Sequence, residues 1–247
     1  MGLPLCRQHI RSYPSGPALS MPVVAWRPPK GAVIDTTARL IEMFERLYTY
    51  FGPQHWWPGD TSFEVIVGAV LTQNTSWGNV ALAIDNLKAA GALSLNKMRT
   101  LSEGELAQLI RSAGYYNLKG RRLRSLLDFL HRECGGNLGD LWRRPLDQLR
   151  SDLLVVKGVG PETADSILLY AGGLPTFVVD TYTFRVLDRH GLLPESADYH
   201  GLRAMFMDGL PHDPALFNEF HALFVALGKE RCRKGGPLCE GCPLEGW

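Results

Sequence analysis

The feature that most restricts this chain is a four-residue turn, Lys157-Gly158-Val159-Gly160, between two apolar-periodic segments, Leu146–Val156 and Pro161–Ala171. Glycines admit positive φ and leave their amides uncovered by a side chain, and proline suits the first turn of a helix. Two helices joined by so short a turn lie against each other as an αα-hairpin. The amides at the start of the second helix then point outward together and form a concave site for an anion. Taken alone, Gly-x-Gly fits a plain hairpin turn better than a binding site. With basic residues on its flanks, the anion that suits it is a nucleic-acid phosphate.

The rest of the chain carries helical periodicity, and no run alternates convincingly as a strand. Asp35 can cap a helix with Leu40, Ile41, Phe44, Leu47 and Tyr48 on one face. Phe63–Thr72 is nearly all apolar and is expected to be a central buried helix, and Ser76 can cap the next, to about Ala90. Ser102 and Glu105 have capping-box spacing ahead of Leu106, Leu109 and Ile110. Further helices are expected over Asn117–Arg132, Asp180–His190, Tyr199–Gly209 and Pro214–Lys229. The fold class is all-α, roughly ten short helices joined by turns bearing Gly and Pro.

Composition narrows the classes. With 247 residues and 45% apolar content the chain can bury a full core, and its longest apolar runs, such as Val65–Leu71, are too short for a bilayer. The net charge of +1 makes no case for nucleic acid. Local charge makes some: Lys119, Arg121, Arg122 and Arg124 form one basic cluster, and Lys229, Arg231, Arg233 and Lys234 another, each equally readable as a solvated helix face. Residues 1–34 lack a signal-peptide pattern and are expected to be a loose tail. Five cysteines, three of them in the last sixteen residues, have metal-site rather than disulfide spacing, which fits a reducing cytoplasm. Cys6 and Cys134 have no assigned role.

LLVVKGVGPETADSILLYAGGLPTFVVDTYTFRVLDRHGLL resembles the helix-hairpin-helix motif, Gly/Pro-rich loop and Val-Asp-Thr segment of the endonuclease III superfamily of DNA glycosylases. GYYNLKGRRLRSLL and VLTQNT are similar to two further segments of that superfamily, and the likeness runs from about residue 37 to the end. The resemblance implies a two-lobed all-α fold. One lobe would be a six-helix barrel over 62–171, and the other would join 35–61 to 172–247. Double-stranded DNA with a damaged base would lie across the cleft of a monomer working at the nucleoid. The hairpin residues Lys157, Gly158, Val159, Gly160 and Thr163 would take the phosphate, and Gln73 would enter the DNA stack. For Gln73 the plain alternative is a polar residue ending a buried helix and satisfied by backbone.

The superfamily's aspartate maps to Asp180. Loss of a base leaves a sugar with oxocarbenium character, which a nearby carboxylate stabilises or supplies with a directed water. An aspartate opening a helix is also an ordinary N-cap, and the two roles can coexist. A flipped base needs a pocket. Trp56, Trp57 and Pro58, with Trp77, read either as packing residues or as a stacking sandwich of Trp56, Pro58 and Trp77 that favours a cationic alkylated purine. WWP together with QNTSW resembles most closely the 3-methyladenine DNA glycosylase branch. The resemblance puts Glu162 where lyase members carry a lysine, and a carboxylate cannot form an imine. It therefore implies a monofunctional glycosylase. The alternatives are a glycosylase and lyase for oxidised pyrimidines, and a non-catalytic helix-hairpin-helix DNA-binding protein.

Cys232, Cys239 and Cys242 match the first three ligands of the superfamily's C-x6-C-x2-C-x5-C loop, and a fourth is due at position 248, past Trp247. The resemblance implies a 4Fe-4S cluster of structural role. The missing ligand leaves open a shortened chain, a cluster with a non-cysteine fourth ligand, or a site that is empty or holds zinc, and His221 lies too far upstream to be assigned as the substitute.

Overall fold

A computed structural model of the protein describes residues 34–247, so the expected tail and Cys6 lie outside the described residues. The order is α1 (Ile34–Phe51), α2 (Ser62–Leu71), α3 (Trp77–Ala89), α4 (Leu95–Thr100), α5 (Glu103–Leu109), α6 (Tyr116–Cys134), α7 (Leu138–Leu141), α8 (Leu146–Leu154), α9 (Pro161–Ser166, continued as a π turn over Ile167–Ala171), α10 (Thr181–Arg189), α11 (Tyr199–Gly209) and α12 (Pro214–Glu230). The class is all-α, as the periodicity implies. Among the described residues the one departure is a pair of two-residue strands, Cys232–Arg233 and Gly236–Pro237, antiparallel within the cysteine loop. Two residues are too few for alternation to register in a sequence.

Local chemistry starts most helices. Ser102 and Glu105 form the expected capping box, with Glu105 N donating to Ser102 Oγ (3.2 Å) and Ser102 N to Glu105 Oε2 (2.8 Å). Thr61 caps α2 by accepting from Glu64 N at 3.1 Å. Ser76 stands at the N-cap of α3 but makes no side-chain cap bond, and α1 already begins at Ile34, ahead of Asp35.

Apolar side chains gather in two clusters. One draws on α2 to α9, with every residue of α2 after Ser62 buried. The other joins Leu40, Met43 and Leu47 of α1 to residues between Leu169 and Leu244, centred on Phe177 stacked on Phe206 at 3.7 Å. Between them lies a buried polar knot. Asp165, fully buried on α9, takes Arg150 Nε and Nη2 (2.9 Å each), Thr176 Oγ1 (2.7 Å) and Tyr199 Oη (2.8 Å). Arg203 Nε closes it on Thr176 Oγ1 at 2.9 Å.

The first basic cluster is mostly internal. Lys119 is 1% exposed, and its Nζ donates to the carbonyls of Leu71 (2.8 Å) and Ala113 (2.7 Å). Burial, aided by the charge of Arg122, pushes its pKa down. Arg124 donates to the carbonyls of Arg99 (2.8 Å) and Leu101 (2.6 Å), and Arg122 bonds Gln73. Only Arg121 of the four is exposed, so the cluster is not a basic face for DNA. Lys119 instead satisfies the last carbonyl of α2, and Arg124 satisfies carbonyls at the end of α4.

Candidate active site and nucleic-acid interface

The hairpin turn joins α8 to α9. Gly158 has φ +94°, and a Cβ there would overlap the Arg122 side chain, so glycine is required twice over. Gly160 differs: its φ is −93° and nothing lies within 4 Å of an added Cβ. Val159 N donates to Val156 O at 3.0 Å, whereas the amides of Gly158 and Gly160 find no acceptor among the described residues. Lys157 and Gly160 are exposed beside them, while Val159 and Thr163 are buried. The free amides are therefore those of Gly158 and Gly160, the open space for a phosphate lies at Gly160 beside exposed Lys157, and Thr163 faces inward.

Gln73 is held by this hairpin. Its Nε2 donates to Gly158 O (3.1 Å) and Thr163 Oγ1 (2.9 Å), and its Oε1 accepts from Arg122. Entry into a DNA stack would require it to release these bonds.

Asp180 is the N-cap of α10. Its Oδ1 accepts from Tyr182 N (2.9 Å), Thr183 N (2.8 Å) and Thr183 Oγ1 (3.1 Å). Its Oδ2 lies 3.5 Å from His221 Nε2, an ion-pair distance rather than a formed hydrogen bond. Burial would raise the Asp180 pKa, but His221 and the Thr183 donors outweigh it and hold the carboxyl below its ordinary value. His221 comes from the middle of α12 and is 5% exposed, and Tyr170 Oη lies 2.6 Å from its Nδ1. Burial, then the charge of Asp180, pushes the Tyr170 phenol well above its usual value, so it stays protonated. Glu162 stands exposed at the start of α9, near enough to Asp180 and His221 to feel their charges. Partial loss of hydration there, with the charge of Asp180, raises its pKa against a lowering by His221.

The aromatic residues continue the line. Trp57 packs on Tyr170 (5.1 Å), edge-on to Trp77 (5.2 Å, 89°) and to Trp56 (5.5 Å, 71°). Trp56 and Trp77 are 6.5 Å apart and inclined by 47°. A base between two rings needs about 7–8 Å and parallel faces, so these two rings are not set as a preformed sandwich. Trp57 lies against Gly68 of α2, where an added Cβ would come within 3.4 Å of its Nε1, and serves as packing between site and core. Lys229 Nζ lies 5.8 Å from the Trp56 ring and already supplies it with a cation. The loop bearing Trp56 and Trp57 is pinned at one end by Gln54 N donating to Glu219 Oε1 (2.7 Å). At the other end Lys88 pairs with Asp60 (2.7 Å).

Cys232 is buried in the first short strand, where Arg189 Nη1 donates to its Sγ at 3.2 Å, Cys239 is exposed and Cys242 half-buried. Burial, followed by the nearby Cys239 and Cys232 thiols, raises the Cys242 pKa. The three thiols share one loop, but among the described residues no group of three Cys, His, Asp or Glu side chains converges as a metal site. Among the described residues the loop offers three thiols, one fewer than the four thiolates that a four-iron cluster takes.

Residues 67–212 match the family described as HhH-GPD superfamily base excision DNA repair protein. A Methanocaldococcus jannaschii protein named as a DNA repair glycosylase is 45% identical over 83% of this chain and 94% of its own length. Among solved structures, the H. pylori 3-methyladenine DNA glycosylase bound to 1,N6-ethenoadenine is 29% identical. It covers 79% of this chain and 97% of that one, with a TM-score of 0.67. A trapped endonuclease III–DNA covalent intermediate, at 23% identity, covers 84% and 93% with a TM-score of 0.72 and shows the shared fold. This chain belongs to the HhH-GPD superfamily of base excision DNA repair proteins. Within it the chain is a DNA repair glycosylase.

Neither Tyr170 nor His221 is placed beside Asp180 by the sequence. They lie 51 residues apart, and nothing in the spacing of either points to Asp180.

Proposed function

We propose that the protein is a monofunctional DNA glycosylase that removes alkylated purines of the 3-methyladenine kind. The observation that carries this reading is the continuous line from Asp180 through His221 and Tyr170 to Trp57 and Trp77. It sets an ionised carboxylate at one end of an aromatic recess. The similarity to the H. pylori enzyme supports the same substrate class.

In this reading the hairpin amides and Lys157 grip a phosphate without reading sequence, and the damaged nucleotide turns out of the stack toward Trp77 and Trp56. The C1′–N bond breaks with both electrons passing to the base. A cationic alkylpurine becomes neutral on accepting them, so it leaves without a proton donor. Asp180 stabilises the developing charge on the sugar and directs a water to C1′. The C1′–O bond forms as the water gives up a proton to the Asp180 carboxylate, which passes it on to solvent, leaving an intact abasic site. Because Lys229 sits at Trp56, Trp77 offers the freer face to a cationic base.

The test is base release from duplexes carrying 3-methyladenine, 1,N6-ethenoadenine, thymine glycol or a mismatched thymine. Release of the alkylated purines far ahead of the pyrimidines is expected. Faster release of thymine glycol would overturn the substrate class, and release from none of them would leave only DNA binding.

A further inference from the structure

Asp180 uses one oxygen as a helix cap and keeps the other apart. All three capping donors go to Oδ1, while Oδ2 faces His221 Nε2 at 3.5 Å. That nitrogen belongs to a ring 5% exposed and has no hydrogen-bond partner. A buried polar atom aimed at a carboxylate and otherwise unpaired is unusual enough to ask what it does. The other end of the ring answers. Nδ1 is 2.6 Å from Tyr170 Oη, and a buried phenol kept protonated has a hydrogen to donate. An Nδ1 that accepts from Tyr170 leaves the ring proton on Nε2, pointing at Oδ2, and an imidazolium carries a proton at Nε2 as well.

We infer that Tyr170 and His221 are positioning residues for the carboxylate: Tyr170 orients the ring through Nδ1, and His221 Nε2–H, facing Oδ2 across 3.5 Å, favours the rotamer that turns Oδ2 toward the recess. No proton is transferred in this step. The N–H restrains the free oxygen, so that when positive charge develops on the sugar the carboxylate has no reorientation left to undergo. A histidine that merely filled space would not need a phenol directed at its far nitrogen. The inference rests on the reading of Asp180 as the reacting carboxylate.

The experiment compares His221→Leu, His221→Gln and Tyr170→Phe in single-turnover base release, with binding to a tetrahydrofuran-containing duplex as control. His221→Leu is expected to slow release about 10–100-fold, the scale for outer partners of a reacting group, with binding unchanged. His221→Gln, whose amide can present an N–H in the same place, should recover most of that loss. In an Asp180→Asn background His221→Leu should add no further loss, since it acts through the carboxylate. An equal further loss there, or no difference between the Leu and Gln variants, would overturn the inference. A second readout does not depend on activity: the imidazole nitrogen NMR spectrum of the resting protein should show His221 with a proton on Nε2, and Tyr170→Phe should reduce that preference. A resting Nδ1–H tautomer would overturn the inference even in an active enzyme. Absence of base release from every duplex would instead remove the glycosylase reading.

Discussion

Gln73 Nε2 reaches across 85 positions of chain to the carbonyl of Gly158, 3.1 Å away, and so bonds the end of α2 to the hairpin turn. Together with Thr163 Oγ1 and Arg122 it saturates the amide at both ends. Gln73→Ala should therefore lower stability by about 1–3 kcal/mol, the cost of leaving half-buried partners unpaired. Denaturant unfolding without DNA checks this. Unchanged stability would mean that the amide is held only loosely and is free for DNA.

The two glycines of the hairpin should separate on substitution. Gly158→Ala places a side chain at φ +94° and against Arg122, so it should destabilise the fold. Gly160→Ala meets open space at φ −93° and should fold normally, yet weaken binding to all duplexes alike by crowding the phosphate. Salt-dependent binding of the two variants, set beside their unfolding curves, tests the pair. Normal affinity in Gly160→Ala would return the turn to a plain structural role.

Asp180→Asn keeps a side chain that can cap α10 but removes the charge. Base release should fall by about 10²–10³, with lesion binding retained. Near-normal release would leave Asp180 as a cap alone.

Glu162 gives a pH signature. Its folded pKa is raised, so between the unfolded and folded values the native state holds the extra proton and stability falls as pH rises. At neutral pH its ionised form opposes folding. Glu162→Gln should then raise the melting temperature at pH 7 and make no difference well below the ordinary glutamate pKa. A variant destabilised at pH 7 would show that the carboxylate makes a favourable contact instead.

Borohydride should trap no covalent protein–DNA adduct during excision, and strands should break only after alkali. On the alignment that the resemblance implies, Glu162 stands where lyase members carry a lysine, and Lys119 is sealed inside the protein. A strong adduct lost in Lys157→Ala or Lys229→Ala would make the protein a lyase with a relocated amine.

Sequence proximity decided what was legible. The hairpin, the capping box at Ser102 and Glu105, and Asp180 as a helix start depend on residues within a few positions of one another, and each can be seen in a string of letters. The basic run at Lys119 misleads because its burial comes from carbonyls at Leu71 and Ala113, and the Leu71 partner is 48 residues away. His221 is indistinguishable from any polar residue in an apolar helix until folding sets it against Asp180 and Tyr170. The tryptophans are visible as a group, but the inclined, edge-on arrangement of their rings is a product of packing on Gly68 and Tyr170.

Asp165 works as a ruler. It sits three residues past Glu162 on the hairpin helix and grips Thr176, four residues before Asp180, and through Arg150, Tyr199 and Arg203 it locks α8 and α11 to the same point. In DNA, the distance from a backbone phosphate to a nearby sugar carbon is bounded by the covalent chain whatever the lesion. On the proposed reading, a protein that holds the one and acts on the other needs a matching interval between hairpin and Asp180, and the buried carboxylate of Asp165 ties the two segments together. The tryptophan loop is pinned separately, at Gln54 and Asp60, so residues there can change while that interval stays constant.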